Sequence, residues 1–238
     1  MQKIVQIELD GVNSYLIKNG DAFLLVDTGG HMFMDKVYTN RRDALEKRLE
    51  EEGVNENNLR LIVLTHGDND HVCNAKYLRD KYHARIAMHP SDVWMVKRAD
   101  FSCYQANSNY ESPVLKLFFH FMNSKIDLLM KKVYAEFEPF RPDILLKEGQ
   151  SLKDYNFDGT IYHCPGHTNG SIGILDSKGN FICGDLFANN KKPALAINAK
   201  NFKELRMAAK QVLGLKVTTI YPGHGKPFQA AAIKVNDK

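Results

Sequence analysis

Apolar positions in the first thirty residues come as short runs at 4–9, 14–17 and 23–26, separated by Asp10 and Gly11 and then by Asn19, Gly20 and Asp21. Gly, Asn and Asp enter left-handed turn conformations cheaply, so this pattern predicts an antiparallel meander ending at Asp27, Thr28, Gly29 and Gly30. From 34 to 52 the spacing becomes helical, with Val37, Ala44, Leu45 and Leu49 on one face and Gly53 as the stop. Residues 61–64, Leu-Ile-Val-Leu, form an unbroken apolar strand of the kind covered on both faces. A helix over 71–82 and a strand over 84–88 complete a β-loop-α-β unit.

Residues 91–142 change texture: they are rich in Phe, Tyr, Met and Lys, lack strand punctuation, and predict two or three helices inserted between β-rich halves. Strands resume at 143–146, 160–163, 171–175 and 180–183; a helix over 201–213 leads to a last strand at 217–221. The expected architecture is α/β (α+β) in a single domain over residues 1–238, with the helical insertion at about 91–142.

Composition narrows the class. The chain has 238 residues, 44% of them hydrophobic and 25% charged, which suits a soluble globular protein and rules out a disordered or fibrous one. Thirty-two basic and 28 acidic side chains leave a net charge of +4 without long like-charge runs, so nucleic-acid binding is not expected. No stretch approaches 18 apolar residues and the first residues do not resemble a signal peptide, so neither a membrane span nor export is expected. Cys73, Cys103, Cys164 and Cys183 form no paired motif and read as reduced core residues, which points to the cytoplasm.

Chemistry concentrates where apolar runs end. His66, Asp68, Asp70 and His71 fall within six residues, and Gly166-His167-Thr168, Gly184-Asp185 and Pro222-Gly223-His224 follow later strands. Residues two apart in a loop leaving a strand can share a side, so His66 and Asp68 can reach one ion, with Asp70 and His71 reaching a second. Imidazole nitrogen and carboxylate oxygen are the usual ligands of divalent zinc, iron or manganese. With 9 His and 17 Asp in 238 residues, the string H-x-D-x-D-H arises by chance roughly 0.002 times.

The ordered set of segments at 26–29, 66–71, 165–168, 184–185 and 222–224 resembles the metallo-β-lactamase superfamily, over about residues 13–226. The resemblance implies a four-layer αββα metallo-β-lactamase sandwich with a two-metal site at one edge. It implies His66 and His167 at the first metal, Asp70, His71 and His224 at the second, and Asp185 bridging both. Asp68 stands where most members have histidine. Two divalent ions, zinc first, are expected; a carboxylate at position 68 adds negative charge and a harder ligand, which admits iron or manganese as alternatives, and flavodiiron reductases carry glutamate at this position.

Other side chains have weaker expectations. Asp27 is expected to orient a ligand or a loop amide. His31 is expected at the surface, His163 as a buried, satisfied imidazole, Cys183 in the core, and His83, His89 and His120 without partners. Asn189 is expected to contact substrate. The insertion's Trp94, Met95, Phe101, Tyr104, Tyr110, Phe118, Phe119, Phe121 and Met122 fit a pocket wall, a helical core or a homodimer face equally well.

The functional expectation is a dinuclear metal-dependent hydrolase acting on an ester, lactone, thioester or phosphodiester of a small molecule. A hydroxide bridging two cations would attack, and Asp70 would accept its proton. Antibiotic hydrolysis is disfavoured by His71, and glutathione thioester hydrolysis by the short stretch after His224. A di-iron oxidoreductase and a non-catalytic metal-binding or signalling protein are the alternatives.

Overall fold

The computed structural model describes residues 1–32, 35, 37–98, 100, 102, 103, 105 and 108–235. Its first sheet has six strands: β1 (Lys3–Glu8), β2 (Asn13–Asn19), β3 (Ala22–Val26), β4 (Leu59–Val63), β5 (Arg85–Met88) and β7 (Ile144–Leu145), in that order. The predicted meander supplies the antiparallel part, β1 to β3, and the buried apolar strands β4, β5 and β7 add in parallel. The second sheet runs β14 (Phe228–Gln229), β13 (Thr219–Gly225), β10 (Asn180–Asn189), β9 (Ile172–Leu175), β8 (Thr160–His163), with the short β11 (Ala194–Leu195) paired to the end of β10. Among its described strands, β10 and β13 alone pair in parallel.

Alternation along the strands builds four layers. Leu24, Val26, Leu61 and Val63 face Ile161, Ile172, Ile174 and Ile182 between the sheets. Their neighbours Leu25, Ile62 and Leu64 turn outward onto Leu45 and Leu49 of α1 (Arg42–Glu51) and Leu78 of α3 (Ala75–Tyr82). Beyond the second sheet, Phe181, Cys183 and Ile220 pack on Leu205, Ala209 and Val212 of α6 (Phe202–Leu213), whose first turn is capped by the Asn201 side chain. The order helix, sheet, sheet, helix is the expected αββα sandwich. All four cysteines are buried thiols, and among the described residues no helix is long and apolar enough to cross a membrane.

Four elements depart from the sequence pattern. The helix expected over 34–52 begins only at Arg42, because Arg41 adopts φ 61° and its guanidinium is spent on Leu9 O, Gly30 O and the Asp35 carboxylate; Met34 lies outside the described residues. The helix expected over 71–82 is two, α2 (Asn69–Val72) and α3, broken where the buried Asn74 amide donates to Thr28 O and Asn40 O. The insertion holds α4 (Val93–Arg98) and the 24-residue α5 (Pro113–Glu136), but also a short strand, β6 (Asn109–Tyr110), paired with β12 (Asn198–Ala199). Finally, β10 and β13 run past their expected ends at Cys183 and Tyr221, through bulged register, so that Asp185 and His224 sit inside strands rather than after them.

Candidate metal centre

The segments that leave β4 and β8, together with the bulged halves of β10 and β13, converge on one edge of the sandwich. His66, Asp68 and His167 form one group whose potential ligand atoms lie within 4.8 Å of one another; Asp70, His71 and His224 form another, as do His66, His71 and Asp185. Asp185 sits between them: Oδ1 is 3.4 Å from His71 Nε2, and Oδ2 is 3.2 Å from His224 Nε2 and 3.7 Å from His167 Nε2. Asp68 Oδ2 lies 3.0 Å from His167 Nε2 and 3.8 Å from His66 Nε2. Asp70 Oδ2 lies 3.4 Å from His224 Nε2 and 3.7 Å from His71 Nε2. The structure therefore brings all seven side chains of the sequence pattern together.

Each of the four imidazoles is tethered through Nδ1. His71 Nδ1 lies 2.9 Å from Asp27 Oδ2, His167 Nδ1 3.1 Å from Asn198 O, and His224 Nδ1 2.7 Å from Gly11 O. His66 Nδ1 lies 2.9 Å from Thr65 Oγ1, and that hydroxyl spends its proton on Asp27 Oδ2 at 2.7 Å, so it accepts from His66. Asp27 Oδ1 also accepts from the Thr65 amide. One buried carboxylate thus fixes two rings. A neutral ring whose Nδ1–H is held in this way would offer the lone pair of Nε2 to a cation, the pattern of metal-binding histidines.

The inward atoms meet the test of a cation site. His66 Nε2, His71 Nε2 and Asp185 Oδ1 are buried without a hydrogen-bond partner, an arrangement that costs stability unless something else satisfies them. Charge in the cluster is strongly coupled. Against the effect of burial, His224 and His71 hold Asp185 well below the usual carboxylate range, and His71 and His224 bring Asp70 down to about 2. Against burial again, Asp68 and then Asp185 raise His167 to about 9, and Asp185 and Asp70 raise His224 to about 10. Burial, with His71 and His167 nearby, lowers His66 to about 4. Three ionised carboxylates crowded on four imidazoles attract positive charge, which protons supply in the absence of metal and divalent ions supply in their place.

The cluster floors a cavity of about 280 Å³. Its far wall comes from the insertion and the loop after β10: Tyr110 and Phe119, stacked at 4.1 Å, with Met130, Tyr134 and Ile197. Phe118 and Phe121 instead point outward, Met95 is buried against Gly67, and Met122 joins the small apolar cluster of Ile126, Met130 and Val133 on α5 itself; Phe101 and Tyr104 lie outside the described residues. Asn189 does not line the cavity; its amide donates to Lys226 O, while its neighbours Ala188 and Asn190 form the wall.

His31 is buried and faces the cavity rather than the surface, because Tyr38 stacks on its ring and Glu136 of α5 lies beside it. His89, expected without a partner, stacks on a half-buried His163. Asp92 carried no signal in the sequence, yet its buried carboxylate accepts from Gly67 N, Thr168 Oγ1 and Gly170 N, joining the two loops that carry His66 and His167.

A four-layer sandwich with a histidine–aspartate cluster at its edge defines an α/β protein with a candidate metal-binding site. The sequence profile of the metallo-beta-lactamase superfamily matches residues 7–224, and the chain belongs to that superfamily. Solved structures share the fold at low identity. A metallo-beta-lactamase family protein from Thermus thermophilus superposes with a TM-score of 0.68 at 19% identity, over 97% of this chain and 75% of its own. BLEG-1 B3 metallo-beta-lactamase gives 0.67 at 19%, over 98% and 95%. TTHA1623, solved in a di-iron-bound form, gives 0.63 at 22%, over 97% and 96%. No curated protein matches the chain at a significant level of sequence similarity.

Proposed function

We propose that the protein is a dinuclear metal-dependent hydrolase of small carboxylic esters, lactones or thioesters. The observation that carries this reading is the convergence of four Nδ1-tethered imidazoles and three carboxylates on buried, unpartnered atoms at the floor of a cavity. His66, Asp68 and His167 would hold one divalent ion, Asp70, His71 and His224 the other, with Asp185 shared. Ions so held supply an acidified water and polarise the bond to be cut.

The chain's own groups do the rest. Asp27 and Thr65 keep two rings in the ligating tautomer. Asp70 lines the cavity in its ionised form and takes the proton released during attack. The apolar wall of Phe119, Met130 and Ile197 excludes water and seats the substrate's hydrocarbon part.

Charge favours carboxylic over phosphoric esters. Three carboxylates against two divalent ions leave the site at about +1, one unit less than a histidine at position 68 would give, and no Lys or Arg is among the described residues lining the cavity. The carboxylate of Asp68 also admits iron or manganese beside zinc, and TTHA1623 shows that a protein of this fold takes two irons. Free, buried cysteines suit a reducing compartment such as the cytoplasm.

Elemental analysis of freshly purified protein, beside a panel of chromogenic esters, lactones and phosphodiesters, tests the reading. Two equivalents of metal and turnover of a carboxylic ester are expected, and Asp185→Ala should lose most of both ions. Wild-type metal content in that variant, or turnover confined to phosphodiesters, would overturn the reading.

A further inference from the structure

Two polar side chains in the cavity wall lack any use in holding metal. Asn69 follows Asp68 as the first residue of α2; it is 5% exposed, lines the cavity, and has no hydrogen-bond partner for either its carbonyl oxygen or its amide nitrogen. His31 is 6% exposed, lines the same cavity, and both ring nitrogens lack a hydrogen-bond partner. Its Nε2 lies 3.3 Å from Glu136 Oε2, a close polar contact, and its ring lies flat on Tyr38 at 4.2 Å between centroids. The close approach of Gly30 to Asn69 O and Cys73 Cβ brings the loop carrying His31 against the start of α2. Among the described residues none of these four polar atoms makes a hydrogen bond, though Glu136 approaches His31 Nε2, and a folded protein tolerates such atoms where a ligand completes the set.

We propose that His31 and Asn69 form a substrate-recognition subsite for an uncharged group that both donates and accepts hydrogen bonds, a carboxamide or a hydroxyl, attached to an apolar chain lying on Phe119, Met130 and Ile197. The inference deepens the hydrolase reading of the same cavity and rests on it. Complementarity sets the ligand class. Asn69 offers one acceptor and one donor face, and a neutral imidazole offers one of each; burial keeps His31 neutral, lowering its pKa despite Glu136 nearby. An anionic group at His31 would meet the Glu136 carboxylate beside it, with no lysine or arginine among the described lining residues to receive it. A cationic group would leave the amide N–H of Asn69 without an acceptor. A purely apolar group would leave all four atoms unsatisfied.

Isothermal titration calorimetry of the purified full chain provides the test, with octanamide against N,N-dimethyloctanamide, which keeps chain and carbonyl but has no N–H, and against octylammonium. Octanamide should bind at least tenfold more tightly than either. Two variants of matched shape remove the polar atoms: His31→Phe, which keeps the stack on Tyr38, and Asn69→Leu. Each should bring the preference over the dimethylamide to within twofold, in protein whose Tm is unchanged or higher, since it replaces unsatisfied polar atoms with apolar ones.

A retained amide preference in either variant, a loss accompanied by a fall in Tm, or tighter binding of octylammonium overturns the proposal. Because binding is read without turnover, the two readings fail separately. Amide preference in a protein that hydrolyses no ester sinks the catalytic assignment, whereas ester hydrolysis with no amide preference sinks the subsite.

Discussion

Replacing Asp27 by Asn exchanges one oxygen of the cluster's support for an NH2 group and changes none of its candidate ligands. In the wild type Asp27 Oδ2 accepts from Thr65 Oγ1 at 2.7 Å and from His71 Nδ1 at 2.9 Å, while Oδ1 accepts from the Thr65 amide at 2.8 Å. An asparagine that keeps its oxygen on the Thr65 amide turns its NH2 towards His71 Nδ1 and Thr65 Oγ1. His71 must then accept at Nδ1, and the Thr65 hydroxyl, now accepting from asparagine, donates to His66 Nδ1. Both rings move their proton to Nε2, the atom facing the other ligands.

Loss of one orienting partner costs a metal site about 10–100-fold in affinity. Two rings share Asp27, so the upper end is expected, about 100-fold or 2.7 kcal/mol. The fold suffers less. One charge-assisted hydrogen bond is worth about 1.5–3 kcal/mol, which at this chain length lowers Tm by about 4–8 °C for a loss near 2 kcal/mol. Competition with a chromogenic chelator gives the zinc affinity, and calorimetry of the metal-free protein gives Tm. Zinc affinity within twofold of wild type in a folded Asp27→Asn protein would refute the tautomer argument.

Three further perturbations probe other parts of the site. A Cβ on Gly223 would stand 2.2 Å from Asp185 Oδ1 and 2.7 Å from His71 Cε1, so Gly223→Ala should lower metal stoichiometry with the circular dichroism unchanged; full loading at wild-type affinity would contradict that contact. Asp68→His should move metal selection towards zinc, and an unchanged metal profile after growth in mixed metals counts against the role given to the carboxylate. Burial pushes the Asp92 carboxyl up to about 6. The folded chain therefore holds a proton there that the unfolded chain has released. The associated stability is full below about pH 4 and lost as pH rises through about 6, roughly 3 kcal/mol over two units. Asp92→Asn should gain that amount on the wild type between pH 4 and 7 in urea unfolding, and a flat difference would defeat the assignment.

The ligand segments were readable in the sequence because their chemistry is local: His66, Asp68, Asp70 and His71 declare themselves within six residues. Their tethers were not. His167 and His224 hang from the backbone carbonyls of Asn198 and Gly11, which carry no side-chain signature. Asp92 works on Gly67 and on Thr168, 25 and 76 positions away, a pairing that only the folded chain creates. Gly184 reads as the end of a strand, yet at φ 48° it sits close under the Thr65 side chain and lets β10 continue through a bulge, which aims Asp185 inward. His31 follows a Gly-Gly turn and reads as surface; Glu136, at the far end of α5, helps to bury it. Apolar runs placed most of the strands, burial on both faces of β4 included, while the four layers were expected from the superfamily resemblance and not from periodicity. Exact ends of helices depended on single polar anchors such as Arg41 and Asn74.

None of the seven clustered histidines and aspartates falls between residues 91 and 142, whereas Tyr110, Phe119, Met130 and Tyr134 of the cavity wall all do. The candidate ligands and much of the apolar wall above them are therefore written on separate stretches of polypeptide, with His31, Asn69 and Ile197 completing the lining from outside the insertion. Grafting a different helical segment onto the same sandwich would reshape that wall while leaving the cluster intact, and under the proposed hydrolase reading a library confined to residues 108–136 is the economical place to look for altered substrate range.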